Sequence, residues 1–345
     1  MSRHSQQPEP LTLRACQPVE LTGRPSVDRN SPQRVLRVLL LGLACLGLLS
    51  GTGCSIRKLA ANRLGDALSA GGSTFASDDD PDLVRDAVPF SLKLMEALLS
   101  ETPKHRGLQL ATASGFTQYA FAFVQLPAEE LENKDLDGAN AMRQRARRLF
   151  LRAREHGLRG LEVAHPDFAK TLRADPKTAV AQLSKTDVPM AYWTAASWAA
   201  AIAIMKDNAD LIADLPLIEA LIDRALALAP DYGDGALHSF LISYEMSRRS
   251  ATGDAAERSR LHFERAVELS HGQQAAPFVA YAESVAISRQ DRTLFDSLIK
   301  RALAVDPDAR PEWRLVNLVM QRRARWLAAR ADDLILPPLP PEDKK

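Results

Sequence analysis

With 345 residues, 44 basic against 43 acidic side chains and a formal net charge of +1, the chain is long enough for a large core and too evenly charged to be drawn as a whole to nucleic acid or acidic lipid. Its cysteines, Cys16, Cys45 and Cys54, all precede residue 55. A disulfide framework, a thiolate zinc site and a cysteine nucleophile are therefore excluded from everything that follows, as suits a chain exported to an oxidising compartment.

Residues 1–33 are rich in Pro, Ser, Gln and Arg and carry no hydrophobic period, so they read as a disordered leader or as a start site set too early. Residues 34–53 read as a signal peptide. Arg34 and Arg37 form its basic flank, and the apolar stretch Val38 to Leu49 fits an h-region of roughly 7–15 residues better than a membrane span of roughly 20. The small residues Gly51, Thr52 and Gly53 before Cys54 resemble the lipobox of bacterial lipoproteins, although Gly51 stands where that pattern has Leu. The resemblance implies cleavage before Cys54 and a covalent lipid on its thiol, with Ser55 favouring the outer membrane. The alternative is an uncleaved N-terminal anchor helix.

Residues 54–82 read as a tether, mixing a short helical pattern (Ile56, Leu59, Ala60, Leu64) with a Gly/Ser/Asp cluster that suits a linker or a helix-capping loop. Asp78, Asp79, Asp80 and Asp82 lack the central Gly and terminal Glu of a calcium loop, and no metal site is expected. From there to residue 336 the hydrophobic period is helical throughout, with no alternating run that predicts a strand. Met142, Ala146, Leu149, Phe150 and Ala153 share one helix face, and Arg143, Arg145, Arg147, Arg148, Arg152 and Arg154 mostly take the others. Without interleaved aromatics these arginines predict a solvated face rather than an RNA-binding one, and no nucleic-acid partner is expected. Glu129 and Glu130 read as a solvated pair in a loop after Pro127, and His156, His165, His262 and His271 as surface or capping residues.

An internal repeat organises the second half. "RALALAPDY" from Arg224, "RAVELSHGQ" from Arg265 and "RALAVDPDA" from Arg301 are spaced 41 and 36 residues apart, close to the tetratricopeptide period of about 34. Pro230 and Pro307 stop the helices that carry the first and third copies. The pattern predicts an all-α, tetratricopeptide-like array of helical hairpins, solenoid-like in its stacking, over residues 83–336, with a Pro-rich tail at 337–345. Between the copies, "MAYWTAASWAAAIAIM" (Met190 to Met205) carries no charge and is too short to span a membrane, so it reads as a central helix with Asp187 and Pro189 as its start signals. Its Tyr192, Trp193 and Trp198 serve either as core knobs or as one wall of a ligand cavity.

No P-loop, Gly-x-Ser-x-Gly elbow or zinc helix occurs, and "HFE" at His262 lacks the cysteine partners of a deaminase. The sequence points away from an enzyme and implies no cofactor apart from the lipid on Cys54.

The blocks "YAFAFV" (Tyr119 to Val124), "DVPMAYWTAASWAAAI" (Asp187 to Ile202), "RALALAPDYGDGALH" (Arg224 to His238), "HFERAVELSHGQQAAPFVAYAE" (His262 to Glu283) and "RLVNLVMQRRARWL" (Arg314 to Leu327), in this order, resemble the T component of TRAP transporters, the TatT lipoproteins. The resemblance implies an all-helical lipoprotein facing the periplasm that assembles as a homotrimer and docks a periplasmic solute-binding protein. It further implies a passage through each protomer for an apolar ligand; no short ligand motif of the family is there to match residue by residue, and the aromatic residues Tyr119, Phe123, Tyr192, Trp193 and Trp198 are the candidate lining. The competing expectation is an envelope scaffold of the same fold that carries no small molecule.

Overall fold

The computed structural model describes residues 58–69, 72–204, 212–248 and 250–336. All of them belong to the unit Ile56–Lys345. The signal peptide, Cys54 and the Pro-rich tail expected at 337–345 lie outside the described residues. Among the described residues every regular element is helical and there is no strand, as the sequence period predicts.

The helices run in order as α1 (residues 58–69), α2 (Gly72–Ala76), α3 (Pro81–Glu101), α4 (Arg106–Ala120), α5 (Leu126–Leu131), α6 (Leu136–Ala164), α7 (Phe168–Ala174), α8 (Pro176–Ala181) and α9 (Val188–Ile204). The second half holds α10 (Leu215–Leu228), α11 (Ala236–Tyr244), α12 (Ala255–Leu269), α13 (Ala276–Tyr281), α14 (Arg292–Ala304), α15 (Arg314–Ala329) and α16 (Ala331–Leu334). Two π-helical turns, Phe121–Gln125 after α4 and Ala282–Ala286 after α13, widen the helix where they occur. Aspartates start many of the helices: Asp80 accepts from the amides of Asp82 and Leu83 at 3.0 Å, and Asp135, Asp254 and Asp291 cap α6, α12 and α14 in the same way. Each such cap contributes about 1 kcal/mol. The Asp78–Asp82 run is thus a helix start, and the segment 54–82 carries α1 and α2.

Helix α9 is the uncharged segment that the sequence singles out, and it is packed by α4, α6 and α10. Val188, Ala191, Ala195, Trp198 and Ala201 are all buried. Its hydroxyls fold back into the helix, Thr194 Oγ1 donating to the Met190 carbonyl at 2.6 Å and Ser197 Oγ to the Thr194 carbonyl at 3.0 Å. No polar group of these two side chains is left to the apolar surroundings. The partner face on α6 is made of glycine. A Cβ on Gly157 would lie 3.2 Å from Thr194 Cα and inside the reach of its hydroxyl, and one on Gly160 would lie 2.6 Å from Met190 Sδ.

The start of α9 is tied down by Asp187, only 2% exposed. Its carboxylate accepts from the Ser184 amide at 2.8 Å and hydroxyl at 2.7 Å, pairs with Arg106, and stands 3.3 Å from His165. Burial pushes this carboxyl up, but the Ser184 bonds, His165 and Arg106 together hold it below the ordinary aspartate range.

The repeated Arg-Ala pairs sit near the ends of α10, α12 and α14, where α10 packs on α8 and α9, α12 on α11, and α14 on α13 and α15. Ala225, Ala266 and Ala302 are completely buried. Their small side chains admit the neighbouring backbone: a Cβ on Gly235, whose φ of +98° already demands glycine, would lie 3.1 Å from Ala266 Cα. Of the repeat arginines only Arg301 is exposed, 4.4 Å from the Phe278 ring centre, while Arg224 is half-buried and donates to the Leu183 carbonyl at 2.8 Å.

Gly157→Val should therefore lower unfolding stability by about 1–3 kcal/mol through overpacking against α9, measured by denaturant titration. Asp187→Asn should cost about 3 kcal/mol at neutral pH, because Arg106 and His165 lose their buried partner. A carboxyl held lower in the folded than in the unfolded chain stabilises only above the unfolded pKa, so the difference between wild type and Asp187→Asn should shrink as the pH falls through the acid range below about 4.

Candidate functional site

The five aromatic candidates fall into three settings. Tyr119 and Phe123, with ring centres 5.8 Å apart, lie where α4 passes into its π-turn, in a core with Leu92, Phe116, Ala146 and Phe150. The Tyr119 hydroxyl receives Arg145 Nη2 at 3.3 Å. Tyr192 and Trp193, neighbours on α9, belong to a larger group. Tyr192 is 4.9 Å from Trp193, 5.6 Å from Tyr232 and 6.4 Å from Phe240, and Phe240 stacks on Tyr244 at 5.3 Å. Trp193 donates to the Tyr232 hydroxyl, and burial raises the pKa of both Tyr192 and Tyr232, so these phenols stay neutral. Tyr192, Trp193, Tyr232 and Phe240 are each only half-buried. Trp198 is different: it is 1% exposed, with the guanidinium carbons of Arg154 and Arg173 4.9 and 5.8 Å from its ring centre. Its indole N–H finds no hydrogen-bond partner among the described residues. Sequence reasoning missed Tyr232 and Phe240, which come from the segment after α10 and from α11 and share no local period with α9.

A separate cleft of 390 Å³ opens between α5, the second π-turn, α15 and α16, and none of the five candidates lines it. At its floor Arg323, 6% exposed, donates through Nε to Glu283 at 2.8 Å and through Nη2 to Glu129 at 2.5 Å. Its guanidinium also lies 4.3 Å from the Trp326 ring centre, and that of Arg330 lies 4.9 Å from it. Burial pushes the Glu283 carboxyl up, Arg323 opposes this, and the charge of Glu129 adds to the rise. The expectation that Glu129 and Glu130 form a solvated loop pair is corrected here. Both lie in α5, where Glu129 joins the Arg323 cluster and Glu130 stands 3.9 Å from Arg322. Partners 194 positions away in sequence give no local signal.

The histidines are also more structural than the sequence suggests. His156 is buried, bonded to Gln109 at 2.8 Å and Glu96 at 3.3 Å. His262 meets His238 with Nδ1 atoms 2.9 Å apart, and burial together with His262 lowers His238 to about 4. Among the described residues no group of three His, Cys, Asp or Glu side chains could hold a metal, and no helix is long and apolar enough to cross a membrane.

The described residues thus form an all-helical domain around a buried, uncharged central helix that carries part of an aromatic group. Residues 77–335 match the sequence model of the TRAP transporter T-component, and the chain belongs to that family. Membership carries an accessory role in a TRAP transport system at the bacterial envelope. The chain is also similar to an uncharacterized protein of Treponema pallidum (strain Nichols), 30% identical over 302 residues that cover 82% of this chain and 94% of that protein.

Arg323→Ala should lower stability by about 3 kcal/mol, because it leaves the Glu129 and Glu283 carboxylates together without their shared cation. Denaturant midpoints checked against Arg322→Ala, whose exposed pair with Glu130 contributes well under about 1 kcal/mol, would measure it.

Proposed function

We propose that this protein is a lipid-anchored, periplasm-facing accessory of a TRAP-type transport system that docks a periplasmic solute-binding protein and holds or relays an apolar ligand, without catalysing a reaction. The observation that carries this reading is the family match over residues 77–335, which spans nearly the whole helical domain. The lipid is placed on Cys54, and the outer membrane is the favoured site. The tetratricopeptide-like hairpin array is kept as the reading of the spaced Arg-Ala copies, whose alanines are fully buried.

For the ligand, the half-buried group of Tyr192 and Trp193 on α9, Tyr232 after α10 and Phe240 on α11 offers large apolar rings with neutral hydroxyls, which suits an apolar molecule with a polar end. Trp198, buried on the same helix, backs this group, while Tyr119 and Phe123 pack in a separate cluster with Ala201 and stay candidates for another stretch of the passage. The scaffold alternative draws on that tight packing and on the ion-paired character of the cleft.

Self-association into a homotrimer is supported by α3. Leu83, Ala87, Phe90, Leu94 and Ala97 recur at alternating steps of four and three on one face, the spacing of a helix-to-helix seam, and Leu83 and Phe90 are 58% and 75% exposed.

To test the function, the mature protein is immobilised and exposed to a periplasmic extract of its source organism, and retained proteins are identified by mass spectrometry. The proposal expects a solute-binding protein in the retained fraction and an apolar molecule on the T-component in native mass spectra, reduced by Trp193→Ala. Retention of structural envelope proteins alone, with no bound small molecule, would favour the scaffold. Phe90→Ser with Leu83→Ser should convert the oligomer to a monomer in light scattering without altering the helical circular dichroism.

A further inference from the structure

Helix α1 turns its apolar arc outward. At about 100° per residue, Leu59, Arg63, Ala67, Ala60 and Leu64 fall within one arc, and all five are exposed, Leu59 by 58% and Leu64 by 45%. The opposite side holds Ala61 and Gly65, both buried, with Leu68 packed against the Met95, Leu99 and Leu108 cluster. The helix cannot roll to hide its leucines. His105 Nε2 stands 3.3 Å from the Asn62 carbonyl and 3.2 Å from Asp66, and a Cβ on Gly65 would lie 2.9 Å from the His105 ring. The close approach at Gly65 and the His105 contacts turn this arc outward, with its two leucines, two alanines and one arginine, while Lys58, Asn62 and Asp66 are exposed beside it.

Only three residues separate Cys54 from Lys58, the start of α1. Even fully extended, that stretch reaches about 14 Å from Cα to Cα. A lipid on Cys54 therefore holds the start of α1 within about two headgroup-layer thicknesses of the bilayer surface. An apolar arc with a central arginine is the composition of a helix that lies in the membrane interface, where the arginine stem runs along the apolar side and its guanidinium reaches the phosphates.

We propose that α1 lies in the lipid interface through Leu59, Ala60, Arg63, Leu64 and Ala67 and so sets the orientation of the helical domain on the membrane. This rests on the reading of Cys54 as the lipid anchor. The occupant is a bilayer surface, because the anchor is a few residues away and the arc is flat and short rather than a long seam like that of α3.

The test uses the full lipidated mature protein carrying Ala60→Cys. Cys54 is the only native cysteine from residue 54 onward and is blocked by its thioether, so the thiol introduced at position 60 is the single free one for an environment-sensitive fluorophore. The protein is placed in phosphatidylethanolamine–phosphatidylglycerol vesicles, and quenching is compared between lipids with a nitroxide at a shallow acyl position and aqueous iodide. A probe attached through Lys134→Cys, on the exposed turn after α5, serves as the solvent reference. The proposal expects a blue-shifted fluorophore at position 60, quenched several-fold more by the shallow lipid than the reference and protected from iodide, with both effects lost in Leu59→Ser/Leu64→Ser. A position-60 fluorophore open to iodide in protein whose Cys54 is shown by mass spectrometry to be acylated overturns this proposal alone. Absence of acyl chains on Cys54 overturns the anchor reading and the proposal with it. Protection that disappears when the protein is diluted at constant lipid assigns the face to a second copy and also overturns it.

Discussion

The close approach of α6 and α9 is the constraint on which the rest of the fold depends. An uncharged helix cannot be left at the surface, and α9 is covered by α4, α6 and α10. Covering it this closely requires that α6 present no side chain where Thr194 and Met190 arrive, and Gly157 and Gly160 meet that requirement one turn apart. Glycine inside a helix costs about 1 kcal/mol relative to alanine. The contact it permits offsets that cost by bringing a buried tryptophan, several alanines and two internally satisfied hydroxyls into a dry core. Asp187 then fixes where α9 begins, so Tyr192 and Trp193 project at a defined level beside Tyr232 and Phe240.

The parts of this fold that were legible in the sequence are those with a local period. The charge-free run from Met190 to Met205 announced a central helix, and the helical period after residue 82 announced an all-helical domain. The aspartate-rich run before Pro81 was readable as a cap because an N-cap signal is a few residues long. What was not legible depends on residues brought together by tertiary packing. Arg323 meets Glu129 and Glu283 across 194 and 40 positions, and His156 meets Glu96 and Gln109 across 60 and 47. A charged residue of this kind looks, in the chain, like any other solvated charge. The aromatic group was half legible: Tyr192 and Trp193 lie in a conspicuous helix, whereas Tyr232 and Phe240 lie in segments whose sequence gives no sign of where they pack.

The distribution of polarity also bears on function. Paired charges, including the Arg323 cluster and the Arg248 pairs with Asp223 and Glu245, hold elements together. Three apolar, accessible faces stand out among the described residues: the half-buried rings around Tyr192, the heptad-spaced stripe of α3 and the outer arc of α1. Under the proposed function these serve as the ligand, protein and membrane surfaces.

Under the proposed function, α9 is the rigid element that carries Tyr192 and Trp193 of the ring group. Native-state hydrogen exchange of the mature protein, resolved by peptide, tests it most directly. A rigid α9 predicts that the amides of Val188 to Ile204 and of Gly157 to Leu161 exchange only through global unfolding, with the same free energy as the denaturant transition. Exchange of α9 through a local opening well below that free energy would contradict it, because a helix that frays in the native state could not hold a fixed aromatic wall.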